Sequence, residues 1–150
     1  MRIAMASDHG GFELKEIVKE YLVGQGYEVK DMGTYNTESV DYPDYGLKAA
    51  YEVASGRAER GIVICGTGIG ISISANKVRG IRCALCHDVY SAEMTRAHND
   101  SNVLAMGGRV VGRDLALRIV QAWIHSDFEG GRHARRIDKI TEYENNVEKG

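Results

Sequence analysis

Short apolar runs alternate with amphipathic stripes along this 150-residue chain, and that alternation leaves few folds open. The run RIAMAS, residues 2–7, has the length of a buried strand. Leu14, Ile17, Val18, Tyr21 and Leu22 behind it follow the i, i+3, i+4, i+7, i+8 spacing of a helix with one apolar face. YEVKDMG (27–33) alternates as a second strand, and after a loop holding the only proline, Pro43, the residues Leu47, Ala50, Tyr51 and Ala54 form another helical stripe. GIVIC (61–65), GIRCALC (80–86) and NVLAMG (102–107) read as three more strands, with helical segments near 68–78, 87–97 and 112–126. The last of these puts Ala116, Ile119, Val120, Trp123 and Ile124 on one face, and a charged segment over about 132–147 reads as a mostly solvated helix.

Strands that alternate with helices pair in parallel, because each helix carries the chain back across the sheet. The expectation is an α/β fold, a three-layer αβα sandwich whose open sheet of five parallel strands carries helices on both faces. No repeat, low-complexity tract or linker divides the chain, so residues 1–150 are expected to form one domain. A chain of that length can bury roughly 70% of its unfolded surface without a covalent staple. Ligands of such sheets bind outside the carboxyl ends of the strands. The search for a site is thereby confined to Ser7–Gly11, the segment around Asp41, Cys65–Gly70, the loop after strand four, and Met106–Gly112.

Composition removes several classes of function. A net charge of -2 argues against a general nucleic-acid surface, which needs uncompensated Lys and Arg, so any anion site must be local. The N-terminal apolar stretch is too short for a signal peptide and no segment nears the ~20 apolar residues that span a bilayer; a cytoplasmic protein without a membrane partner is expected. Three cysteines, an odd number, are expected to be free thiols.

The stretch CGTGIGIS (65–72) is the richest candidate. A glycine-rich turn into a helix lets an anionic oxygen approach unpaired backbone N–H groups. The stretch lacks the Gly-Lys-Ser/Thr of a Walker A loop, and the third glycine of a dinucleotide fingerprint would fall at Ile71. A thiol at Cys65, beside a helix start, is placed to have its thiolate stabilised and to act as a base; the alternative is a buried cysteine serving as a small hydrophobe. Thr67 is in reach of the sulfur or of a substrate. Cys83 and Cys86 lie in a strand, where odd spacing sends their side chains to opposite faces, so neither a redox pair nor a zinc site is expected. No metal and no cofactor is implied.

Asp8 and His9 end the first strand and would face the ligand crevice, although Asp8 also suits a helix cap. His98 and Asn99 precede the fifth strand, and a histidine can move protons near neutral pH. His87 and His125 are given no catalytic part. Arg109 follows the glycines of the fifth strand, and Arg132 and Arg136, spaced i and i+4, share a helical face that could clasp a phosphate, with Arg135 turned away. Glu129, Asp138 and Glu142 are close enough in sequence to pair with these arginines instead.

Five ordered blocks, SDHGGFELK, VDYPDYG, CGTGIGISISANK, AHNDSNVLAMGGR and GGRHARR, together resemble the B-type ribose-5-phosphate isomerases, from the first strand to about residue 137. The resemblance implies a Rossmann-like sheet and a metal-free aldose–ketose isomerase that interconverts ribose 5-phosphate and ribulose 5-phosphate through an enediolate. On the family pattern Cys65 would be the base, assisted by Thr67. The N–H groups of Gly66, Thr67, Gly68, Ile69 and Gly70 would hold the oxyanion. His98, with Asp8, would open the furanose ring. Asp8, Tyr42 and Asn99 would hold the hydroxyls, and His9, Arg109, Arg132 and Arg136 the phosphate. The last-block arginines would reach a neighbouring subunit's site, implying a homodimer, or a tetramer built from it, with the 132–147 segment in the dimer. Some relatives use a glutamate where this chain has Ile71. The family also includes galactose-6-phosphate and allose-6-phosphate isomerases, which keeps a hexose 6-phosphate open, and a non-catalytic phosphosugar-binding module is the alternative of another class.

Overall fold

The computed structural model describes residues 1–149, with side chains to Val147. Five strands, β1 (Arg2–Ser7), β2 (Glu28–Asp31), β3 (Arg60–Cys65), β4 (Cys83–Leu85) and β5 (Val103–Gly107), form one sheet in the order β2-β1-β3-β5-β4, and every pairing is parallel. Six helices connect or follow them: α1 (Phe12–Gly24), α2 (Tyr42–Ala54), α3 (Ile69–Ala75), α4 (Val89–Asn99), α5 (Arg113–His125) and α6 (Arg132–Lys149). The expected sandwich is present. None of the described helices is long and apolar enough to cross a membrane.

Period-two alternation splits the strand residues between two cores of different grain. Ile3, Met5, Ile62, Ile64, Leu104 and Met106 face α1, α4 and α5, whereas Ala4, Ala6, Val63, Cys65, Val103 and Ala105 face α2 and α3. Small residues on the second face let α2 come close, and its buried side is correspondingly small: Gly46, Ala49, Ala50 and Val53. This corrects the expected stripe, since Tyr51 and Ala54 point to solvent. Glu52 turns inward because Lys30 and Arg57 meet its Oε1 at 2.8 and 3.0 Å. The α5 face is as expected, with Ala116, Ile119, Val120, Trp123 and Ile124 all buried.

Lys15 departs from the simple amphipathic reading of α1, for it is fully buried. Its Nζ donates to both carboxylate oxygens of Asp31 at 2.7 Å and to Glu16 at 3.1 Å, and lies 5.5 Å from the Phe12 ring centroid. A buried ammonium is tolerable when it is paired and hydrogen-bonded in this way. Burial opposes charge on Asp31, but the bonds from Lys15, Lys19 and the Gly33 N–H outweigh it and hold the carboxyl below its usual range.

Candidate active site

In this strand order the connections from β1 and β3 leave in opposite directions, which opens a crevice between the carboxyl ends of those neighbouring strands. Ser7–Gly11 and Cys65–Gly70 both leave the sheet there, as β1 and β3 pair up to Ser7↔Ile64. Two close approaches explain the glycines. A Cβ on Gly11 would sit 2.2 Å from the Ile64 carbonyl oxygen, and one on Gly66 would sit 2.7 Å from Arg109 Nη1. The Arg109 guanidinium thus lies over Gly66 and Gly10, beside the thiol-bearing turn.

Cys65 is only 4% exposed, and its Sγ accepts a hydrogen bond from the Gly68 N–H at 3.1 Å. Gly68 reaches this position with φ +78°, a left-handed conformation that suits glycine. Thr67 is exposed, and its Oγ1 accepts from the Ile69 N–H at 3.3 Å; the hydroxyl hydrogen is left to donate elsewhere. Two of the five amides expected to cradle an oxyanion, those of Gly68 and Ile69, are therefore engaged by Cys65 and Thr67, while the Gly66 and Thr67 N–H groups meet no acceptor among the described residues. Ile71 is fully buried, so the turn carries no carboxylate.

Asp8 Oδ1 accepts from the N–H of Gly11, the N-cap residue of α1, at 3.1 Å; it closes the turn ahead of the helix without being its N-cap, and its second oxygen is uncommitted to that bond. His9 Nδ1 accepts from the Val40 N–H at 3.1 Å, so in the neutral ring the proton is on Nε2, the nitrogen that can donate to an anion. The same bond ties the 34–41 loop to the site and delivers Tyr42, whose ring lies against Gly70.

His98 and Asn99 are not in this crevice. Helix α4 runs antiparallel to the strands, so its last residues lie at the amino edge: Asn99 O accepts from Arg82 Nε, just before β4, and Glu129 N–H donates to Ala97 O. Cys65 pairs with Gly107 at the far end of β5, and the length of β5 alone separates the two edges by about 13 Å. Arg132 and Arg136 begin α6, which packs on α4 at this amino end. The candidate residues therefore fall into two groups within one chain: Cys65, Thr67, Asp8, His9, Tyr42 and Arg109 on one edge, His98, Asn99, Arg132 and Arg136 on the other.

His133 was not singled out in the sequence, although its i+4 spacing from Glu129 was legible. Its ring stacks on His98 with centroids 4.2 Å apart and planes 8° from parallel. Burial, then the neighbouring His98 and Arg132, hold His133 below the usual imidazole range. The ligand atoms of His98, Glu129 and His133 lie within 4.8 Å of one another, but parallel rings aim their nitrogen lone pairs side by side rather than at one ion. Cys83 and Cys86 face different cores, as their odd spacing implies, and burial pushes the Cys86 thiol up to about 11 and the Cys83 thiol further.

Fold and crevice define an open parallel α/β protein with a thiol and an arginine at its topological switch point. The chain belongs to the ribose/galactose isomerase family, whose profile matches residues 3–140. It is 52% identical to the ribose-5-phosphate isomerase B of Escherichia coli (strain K12) over 143 residues, 95% of this chain and 96% of that one. The Clostridium thermocellum ribose-5-phosphate isomerase B structure superposes with a TM-score of 0.97 at 58% identity, covering 98% and 99% of the two chains. The Mycoplasma genitalium ribose-5-phosphate isomerase B, solved with bound ribulose-5-phosphate, gives a TM-score of 0.92 at 41% identity and covers 96% of each chain.

Proposed function

We propose that this chain interconverts ribose 5-phosphate and ribulose 5-phosphate through an enediolate, with Cys65 as base, in a site completed by a second copy. The observation that carries the reading is the Cys65 sulfur at the switch point, held by the Gly68 N–H, with the Arg109 guanidinium over the adjoining Gly66. In the open aldose the thiolate takes the C2 proton. The C–H electron pair becomes the C1=C2 bond and the carbonyl pair moves onto O1; the O2 proton then passes to O1, the O2–H pair forms the C2=O2 bond, and the C1=C2 pair takes the proton back at C1 to give the ketose. The unengaged N–H groups of Gly66 and Thr67 are donors for the developing oxyanion.

His98 opens the ring and Asn99 binds hydroxyls from the second chain, while its Arg132 and Arg136 join His9 and Arg109 on the phosphate. A two-fold pair that sets the amino edge of one chain against the carboxyl edge of the other forms two such sites. Exposed apolar side chains on α3, Ile69 and Ile73, and on α6, Ile140 and Tyr143, suit burial in that contact.

Ketose formation from ribose 5-phosphate tests the activity, and absence of turnover by folded protein refutes it. Cys65→Ala is expected to bind the sugar phosphate yet lose at least about 10³ in turnover. Refolding a mixture of Cys65→Ala and His98→Ala chains tests the sharing: half the dimers are hybrids with one intact site of two, so about a quarter of wild-type activity returns. If mixing restores nothing, the two edges do not meet between chains.

A further inference from the structure

We infer that His87 is a positioning residue for the thiol turn, its neutral imidazole standing in for a strand residue that β4 lacks. In a parallel ladder one residue donates to the residue before its partner and accepts from the residue after it. Cys86 N–H donates to Ala105 O at 3.1 Å, so the next rung would run from the Gly107 N–H to the Cys86 carbonyl. The chain leaves the sheet at that point to enter α4, and Gly107 N–H instead donates to His87 Nε2 at 3.0 Å. An imidazole nitrogen accepts only when it carries no proton, so the bond requires the Nδ1–H form of the neutral ring.

The rung matters because of what rests on Gly107. A Cβ there would lie 2.6 to 2.8 Å from the carbonyl carbon, oxygen and Cα of Thr67, so the two backbones are in direct contact. Gly68, which donates to the Cys65 sulfur, is seated equally tightly on Met106, whose carbonyl carbon would be 2.7 Å from a Cβ at that position. The following turn is tied to the same segment, Gly108 N–H donating to Cys65 O at 2.8 Å and Arg109 N–H to Gly66 O at 3.0 Å. Both the sulfur's donor and the arginine therefore take their position from the end of β5, and His87 holds that end on its open side. Without it, the Gly107 N–H is left unpaired and the turn beneath the sulfur loosens.

The effect on catalysis rests on the isomerase reading; the effect on the turn does not, and the experiment separates them. A glutamine oxygen reaches about as far from the backbone as Nε2, whereas an asparagine oxygen reaches only as far as Nδ1. His87→Leu and His87→Asn are expected to lose about tenfold to hundredfold in turnover of ribose 5-phosphate, and His87→Gln to stay within about threefold of wild type. In the absence of sugar, amide exchange at Gly107 and Gly68 is expected to quicken about tenfold in the Leu and Asn variants and to recover in the Gln variant, with Ile62–Ile64 unchanged. A folded Leu variant with wild-type exchange at Gly107 and Gly68 overturns the proposal, as does a Gln variant no better than Asn. Should the Leu variant not fold, the Asn and Gln pair decides. If the wild-type protein does not turn over ribose 5-phosphate, the functional reading fails while the exchange comparison still judges the role of His87.

Discussion

Gly70→Ala should separate the geometry of the crevice from the stability of the fold. A Cβ at this position would lie 2.6 Å from Cε1 and Cζ of Tyr42 and 3.0 Å from Cε2. Restoring ordinary van der Waals contact requires the ring to withdraw by about 0.8 Å. The withdrawal is cheap, because Tyr42 is 41% exposed and the first residue of α2, where no core packs behind the ring. Gly70 is the second residue of α3, where alanine's advantage over glycine is smaller than the roughly 1 kcal/mol of a helix interior, so the melting temperature should stay level or rise slightly. Activity should respond in the opposite sense. With Tyr42 among the proposed hydroxyl-binding residues, a shift approaching 1 Å is expected to lower kcat/KM about tenfold to hundredfold, or roughly 1.4 to 2.7 kcal/mol of transition-state stabilisation. Steady-state kinetics with ribose 5-phosphate, beside thermal unfolding, read both quantities on one sample. A double-mutant cycle closes the argument: in a Tyr42→Ala background the new methyl meets no ring, and Gly70→Ala should cost nothing further. Full activity in the single variant, or an equal loss in both backgrounds, would refute the reasoning.

Three other outcomes follow from the same contacts. Gly11→Ala places its Cβ 2.2 Å from backbone, not from a flexible tip, so about 3 kcal/mol or more of stability and roughly 6–12 °C of melting temperature should be lost; an unchanged melting temperature contradicts the packing. Lys15→Met leaves Asp31 with Lys19 and the Gly33 N–H only, for an expected loss of about 2–4 kcal/mol by urea unfolding, and a loss below 1 kcal/mol would show that Lys19 suffices. Because the Asp31 carboxyl titrates lower in the folded chain than unfolded, its contribution is fully present above the unfolded pKa near 4 and disappears as the pH falls through the folded value. Wild type should therefore lose stability below about pH 4, and Lys15→Met should show a shallower acid slope, measured as urea midpoints across that range.

Elements whose signal lies within one strand or helix were legible in the sequence. The five strands, their parallel pairing and the α5 face follow from apolar period and length, and Cys83 and Cys86 part to opposite cores by the period of two alone. What the sequence concealed depended on partners distant along the chain. The buried face of α2 is decided by Ala4 and Ala6 on the opposing strand, which select its glycine and alanines over the larger Tyr51. Lys15 reads as a solvated lysine until Asp31 is brought to it from β2. His87 has no distinguishing neighbour in sequence, since its acceptor role exists only because β4 ends two residues short of it while β5 continues to Gly107.

The placement of His98 shows how far topology reaches beyond motif. AHNDSNVLAMGGR is contiguous in sequence, yet His98 and Arg109 stand at opposite ends of β5, because the strand between them carries the chain from one edge of the sheet to the other. A helix that returns the chain between parallel strands must end where the next strand begins, so a residue closing a helix cannot share an edge with a residue closing a strand. That rule needs only the order of elements, which the sequence supplies. It places His98 and Cys65 at opposite ends of a single chain of this pattern, whatever the details of the loops, so that if both serve one reaction as proposed, a catalytic unit of two chains follows from the fold rather than being added to it.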